Sequence, residues 1–149
     1  MLVPIILGSK SDSDHAKKVS TVLKQFGIPF KMMIASAHKV PEKVFEIVSD
    51  FNKQEDIVYI TVAGRSNGLS GVVGANSIHP VIACPHFKCR EDYLINIHST
   101  LQMPSDTPTL TVLDQKNAAL NAVRILALKD DKLRKKYVKY VQAVKAKFN

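Results

Sequence analysis

Leu2-Val3-Pro4-Ile5-Ile6-Leu7-Gly8-Ser9-Lys10-Ser11-Asp12 runs without a break into a periodic segment that ends at Phe26-Gly27. Six apolar residues closed by Gly-Ser have the length of a strand buried on both faces, since strands take about 4–8 residues and helices about ten or more. From Asp12 onward, Ala16, Val19, Leu23 and Phe26 recur at three- and four-residue spacing and mark one apolar face of a helix. Gly27 can take the left-handed conformation that ends it. A wholly apolar strand feeding an amphipathic helix opens a β-α-β unit, in which helices cover both faces of a parallel sheet.

The same alternation continues down the chain. Apolar, β-branched-rich segments at Phe30 to Ala35, Ile57 to Ala63, Pro80 to Cys84 and Thr109 to Leu113 predict four more strands. Helices are predicted at Pro41 to Phe51, Leu69 to Ala75, Tyr93 to Leu101 and Lys116 to Leu128, the first of them opened by a proline in its initial turn. Right-handed crossovers then give a three-layer doubly wound α/β sandwich on a mainly parallel five-stranded sheet, with a long C-terminal helical extension over about 130–149. At 149 residues, with 46% hydrophobic and 23% charged residues, positions 1–149 form one domain.

No apolar run approaches the ~18 residues of a membrane span. The first run lacks a basic flank and is too short for a signal-peptide core, so a cytoplasmic location is expected. Cys84 and Cys89 make no disulfide framework. Cys84-Pro85-His86-Phe87-Lys88-Cys89 lacks a fourth zinc ligand at a recognisable spacing, so no metal site is expected and Cys84 reads as a buried strand-end residue.

The net charge of +8 is concentrated at one end. Lys132 to Asn149 holds seven basic residues and no acid, leaving fourteen basic against thirteen acidic residues elsewhere. Leu133, Tyr137, Tyr140, Val141, Val144 and Phe148 form an apolar stripe on this Lys-rich helix, the pattern of a docking helix with a solvated outer face. A nucleic-acid-binding module is the competing reading of that charge.

In doubly wound sheets ligands bind beyond the carboxyl ends of the strands, so the loops there decide function. Gly8-Ser9-Lys10-Ser11-Asp12 presents hydroxyls and a helix N-terminus, which suit an anion, although Ser and Asp are also ordinary caps. Ser36-Ala37-His38-Lys39-Val40-Pro41 carries an imidazole able to move a proton near neutral pH, beside a cation. The plainer reading of His38 is a loop histidine bonded to backbone. Gly64-Arg65-Ser66-Asn67-Gly68 matches the G-x-S-x-G nucleophile elbow and raises a serine hydrolase using Ser66, Asp92 and His98. Asp92 and His98, however, lie six residues apart, at the start of one predicted helix and within it, whereas that triad needs separate strand ends.

Taken together, these loops resemble the phosphoribosylaminoimidazole carboxylase and N5-carboxyaminoimidazole ribonucleotide mutase family of purine synthesis. The likeness runs nearly the whole chain: Gly8-Ser9-Lys10-Ser11-Asp12, Phe26-Gly27-Ile28-Pro29, Ser36-Ala37-His38-Lys39 with Pro41-Glu42, Ala63-Gly64, Leu101-Gln102-Met103-Pro104, and Lys116-Asn117-Ala118-Ala119-Leu120 with Arg124-Ile125. The mutase branch carries a Gly-Gly-Ala-Ala-His-Leu-Pro-Gly-like third loop and an arginine after its histidine. Here the third loop is Ala63-Gly64-Arg65-Ser66-Asn67-Gly68-Leu69-Ser70-Gly71 and Lys39 follows His38, both like the CO2-using carboxylase branch.

The resemblance implies a flavodoxin-like sheet and carboxylation of C4 of 5-aminoimidazole ribonucleotide by CO2 on the way to IMP, with no cofactor; the mutase is the nearest alternative. It further implies that His38 is the base and that Ser9, Ser11, Ser36 and Lys39 hold the 5′-phosphate, beside Ala37. Asp12 would meet the ribose hydroxyls, while Ala63, Gly64, Arg65, Ser66 and Leu69 would frame the ring and the CO2 pocket. Family members are homo-oligomers, typically octamers, whose C-terminal helix packs on a neighbour. No nucleic-acid or membrane partner is implied.

Overall fold

In a computed structural model that describes residues 1–148, the first apolar run forms β1 (Val3–Leu7), buried along its whole length. A short 3-10 turn at Lys10–Asp12 leads into α1 (Ser13–Phe26), which Gly27 closes with φ 74°. The chain continues through β2 (Phe30–Ile34), α2 (Pro41–Phe51), β3 (Tyr59–Val62), α3 (Gly68–Asn76), β4 (Val81–Ala83) and α4 (Arg90–Leu101). It ends with β5 (Leu110–Thr111), α5 (Gln115–Leu126) and α6 (Asp131–Lys145). All five strands are parallel in the order β2-β1-β3-β4-β5, the doubly wound arrangement expected from the alternation and the flavodoxin-like one that the resemblance implies.

The strand order reverses direction at β1, and the two faces of the sheet build two cores. Val3, Ile5 and Leu7 face α1 and α5 together with Val58, Ile60 and Val62. Ile6, Tyr59 and Val81 face the other way, onto Val44 and Val48 of α2 and Leu69 and Val73 of α3. Burying each of these side chains contributes about 1.5–3 kcal/mol.

Full burial on both faces holds for β1, β3 and β4 but not for the edges. Met32 and Ile34 of β2 remain 45% and 40% exposed, because α1 covers the sheet only as far as β1 and Phe30. β5 pairs with β4 alone and keeps two residues where five were expected. The C-terminal helix is shorter than the expected 130–149, and Asn149 lies outside the described residues.

Helix α6 is capped by Asp130, whose Oδ1 accepts from the Leu133 N–H at 2.8 Å. The first turns of its stripe cover the chain's own core. Leu133 is buried, and the rings of Tyr137 and Tyr140 lie 6.0 and 5.4 Å from that of Phe26. Val138 and Phe148 stay exposed. Among the described residues no helix is long and apolar enough to cross a membrane.

Candidate active site

The carboxyl ends of β1, β2 and β3 bring the three polar loops around one cavity of about 470 Å3, within the range of small-molecule sites. Each residue that the family resemblance picks out lines it. Ser9, Ser11 and Asp12 come from the β1 loop and Ser36, Ala37, His38 and Lys39 from the β2 loop; Ala63, Gly64, Arg65 and Ser66 follow β3, with Leu69 in the first turn of α3. His86, Lys88 and Asp92 complete the lining from the far side.

The first loop is ordered by its own carboxylate. Asp12 is 5% exposed, and its Oδ2 accepts from the Ser9 N–H at 2.9 Å and from Ser9 Oγ at 3.0 Å. A buried carboxylate is tolerated only when its oxygens are met by donors in this way. With the Ser9 hydrogen given to Asp12, the 2.6 Å contact between the two hydroxyls makes Ser11 the donor to Ser9 Oγ. The hydroxyls that order this turn thus also sit at the cavity wall, where they can turn toward a ligand.

His38 stands on the tight turn closed by the Val40 N–H donating to Ser36 O at 2.9 Å. Its ring is exposed and has no hydrogen-bond partner among the described residues, so the backbone-satisfied histidine is not what the fold presents. The imidazole instead lies over Gly68, where an added Cβ would meet Nε2 and Cε1 at 3.0 Å.

The third loop is shaped from below. Arg65 has φ 54°, the left-handed region that a non-glycine residue enters at some cost. Its carbonyl accepts from Ser99 Oγ at 2.8 Å, and the Asn67 N–H donates to that same Oγ at 3.0 Å. Asn67 is buried and ties the loop down, its Nδ2 donating to Thr100 Oγ1 at 3.0 Å and its Oδ1 accepting from Ser70 Oγ at 3.0 Å. Asn67 therefore holds the loop while Arg65 and Ser66 face the cavity.

A model of the AIR carboxylase family matches residues 2–147. The chain belongs to this family. Among its relatives in the AIR carboxylase family, a phosphoribosylaminoimidazole carboxylase of Archaeoglobus fulgidus is 49% identical over 140 residues, spanning 94% of this chain and 77% of the relative. An N5-carboxyaminoimidazole ribonucleotide mutase of Methanocaldococcus jannaschii is 43% identical across 98% of this chain and 92% of its own. The crystal structure of Treponema denticola PurE superposes with a TM-score of 0.92 at 39% identity, covering 99% of this chain and 93% of that one. The AIR carboxylase fold and its place in purine biosynthesis are thereby shown, while both reaction names occur among the relatives.

In this member of the AIR carboxylase family the fourth loop, weighed in the sequence only as a zinc site, also reaches the cavity. His86 follows β4 at the same carboxyl edge as the other loops, so the strand-end rule covers it. Its Nδ1 lies 3.2 Å from Asp12 Oδ1, a contact between residues 74 positions apart that no local pattern encodes. Asp92 is likewise drawn to the rim, its Oδ2 accepting from the Lys88 N–H at 2.8 Å and its Oδ1 from Asn96 Nδ2 at 2.6 Å; these bonds hold its carboxyl below the ordinary range.

The hydrolase constellation is not assembled. Ser66 and Asp92 reach the cavity, but His98 does not line it. Cys89 accepts from the Asp92 N–H as the cap of α4, and Cys84 is buried with its thiol pushed up to about 12 by desolvation. Each cysteine therefore has a structural place. Lys39, Arg65 and Lys88 around the cavity suit an anionic ligand, and His38 presents to it an imidazole with no hydrogen-bond partner among the described residues.

Proposed function

We propose that this chain is a phosphoribosylaminoimidazole carboxylase, joining CO2 to C4 of 5-aminoimidazole ribonucleotide. The observation that carries this reading is the Lys39 and Arg65-Ser66-Asn67-Gly68 pattern, whose Lys39, Arg65 and Ser66 line the cavity beside a His38 that adjoins Gly68 and has no hydrogen-bond partner among the described residues. The amino-substituted imidazole is electron-rich, so its enamine electrons form the new bond from C4 to the CO2 carbon, leaving an iminium at C5. His38 then takes the C4 hydrogen as a proton, the C–H pair restores the aromatic ring, and the 4-carboxylated nucleotide is released. Atoms balance as nucleotide plus CO2 giving carboxylated nucleotide plus one proton.

The protein supplies orientation, a base and shelter for the carboxylated intermediate from water. Ser9, Ser11, Ser36 and Lys39 hold the 5′-phosphate and Asp12 the ribose. Ala37, Ala63, Gly64, Arg65, Ser66 and Leu69 border the ring and the CO2. Hydroxyls and an ammonium are suited to phosphate, and Arg65 to the new carboxylate.

The mutase is the second reading, favoured by the mutase-named relative at 43% identity. Aminoimidazole ribonucleotide is supplied with CO2, or the N5-carboxylated nucleotide is supplied alone, and formation of the C4-carboxylated product is followed. Rapid product from CO2 and none from the N5-carboxylated compound, beyond its spontaneous release of CO2, is expected. The reverse pattern overturns the carboxylase in favour of the mutase, and inertness toward both overturns the family activity for this chain.

The enzyme is further proposed to work as a homo-oligomer, an octamer by resemblance, in the cytoplasm. Leu94, Ile95 and Leu101 of α4, with Val138 and Phe148 at the other end, are large apolar side chains left open in the single chain and available for such contacts. Light scattering after size exclusion checks the subunit count.

A further inference from the structure

We propose that His86 is a positioning residue for the sugar of the nucleotide, fixing the Asp12 carboxylate and so governing substrate affinity rather than the carbon chemistry. The inference rests on the reading of the cavity as a ribonucleotide site. It starts from the accounting of a buried charge. Asp12 Oδ2 is met twice within its own loop, but among the described residues Oδ1 has a single donor, His86 Nδ1 at 3.2 Å. A carboxylate only accepts, so the hydrogen of this bond sits on Nδ1.

The ring that delivers it is held on rigid supports. The His86 N–H donates to Ala63 O at 3.2 Å, and its carbonyl presses on Gly64 so closely that a Cβ there would lie 2.5 Å away. Behind the imidazole stands His15, its ring centroid 4.8 Å distant and tilted 36°. Gln115 Nε2 and Cys84 Sγ lie 3.1 and 3.6 Å from His15 Nε2 and brace that second ring in turn. The segments that follow three strands thus meet here: Asp12 follows β1, Ala63 follows β3 and His86 follows β4.

Without His86, Oδ1 loses its only described donor, and the carboxylate, still held at Oδ2 by Ser9, is no longer fixed in its rotation. Its alignment to the ribose then has to be restored on binding, which weakens affinity while leaving His38 and the reacting carbon untouched. Nothing in the carboxylation step uses the His86 imidazole.

The test measures kcat and KM for aminoimidazole ribonucleotide, together with affinity for the C4-carboxamide analogue of the product nucleotide and for inorganic phosphate. For His86→Phe, which keeps a ring but lacks the donor, KM and the analogue Kd are expected to rise about tenfold, with kcat within about twofold and phosphate affinity unchanged. His86→Asn keeps an N–H near the Nδ1 position and should recover most of the loss. In an Asp12→Asn background, His86→Phe should add little. An unchanged KM in His86→Phe, an equal loss of phosphate affinity, or no recovery in His86→Asn overturns the inference. If the wild-type protein turns over and binds none of these nucleotides, the ribonucleotide reading fails and takes the inference with it; normal wild-type binding with a silent His86→Phe rejects the inference alone.

Discussion

Gly64 and Gly68 shape the cavity by lacking a side chain, and they do so against different neighbours. A methyl group at Gly68, the first residue of α3, meets the movable imidazole of His38 at 3.0 Å. Gly68→Ala is expected to leave stability within about 1 kcal/mol while lowering kcat at least tenfold, because the base is displaced from its place over the loop. At Gly64 the same methyl meets the His86 carbonyl, a backbone atom that cannot rotate away. Gly64→Ala should therefore show its damage in thermal unfolding, by about 1–3 kcal/mol, as overpacking does. A third substitution, His38→Asn, should abolish turnover with nucleotide affinity still measurable by calorimetry; undiminished turnover refutes His38 as the base. At this scale the sequence made the three polar loops legible, because strand ends and caps are local patterns. The left-handed φ of Arg65 and the Asp12–His86 bond were not, since each depends on partners, Ser99 and His86, that only the folded chain brings near.

Elements whose limits are set by local chemistry were readable to the residue. Helix α2 begins at Pro41 and ends at Phe51 as its proline and its apolar spacing predict. Helix α4 begins three residues before the expected Tyr93, because its cap is Cys89, a residue type outside the usual cap set. The expected Thr109 to Leu113 strand contracts to Leu110–Thr111 because strand length depends on the partner, and only β4 is there to pair with it. Helix α6 shows how much of an element depends on packing: alone it is a charged, marginal helix, and Leu133, Tyr137 and Tyr140 bind it to Phe26. Leu133→Ala is expected to cost about 2–4 kcal/mol and Asp130→Ala about 1 kcal/mol, measured by urea unfolding. Equal effects from the two would mean that α6 is held by its cap rather than by the core.

Across the whole molecule, the half-buried His15 links stability to pH at mildly acidic values. His15 stands between Gln115, Cys84 and His86, and its pKa falls to about 4, first through burial and then through the neighbouring His86. In the unfolded chain an ordinary histidine titrates near 6.5. Between about 6.5 and about 4 the unfolded chain therefore binds a proton that the folded chain refuses, and stability rises with pH across that window. On acidification this contribution is lost progressively from about pH 6.5 downward and changes no further below about pH 4. The carboxylates held low, Asp14 beside Lys17, Glu91 in the first turn of α4 and Asp92 under its N–H donors, lose their contributions from the ordinary carboxylate range downward, so the His15 window begins above theirs. His15→Gln keeps a polar side chain between Gln115 and Cys84 but carries no titrating proton. Melting temperatures taken from pH 7 to pH 4 should fall more steeply for the wild-type protein than for His15→Gln, with the curves diverging below about pH 6.5. Parallel curves would show that His15 accepts its proton within the fold, which would contradict the burial that holds its ring against His86.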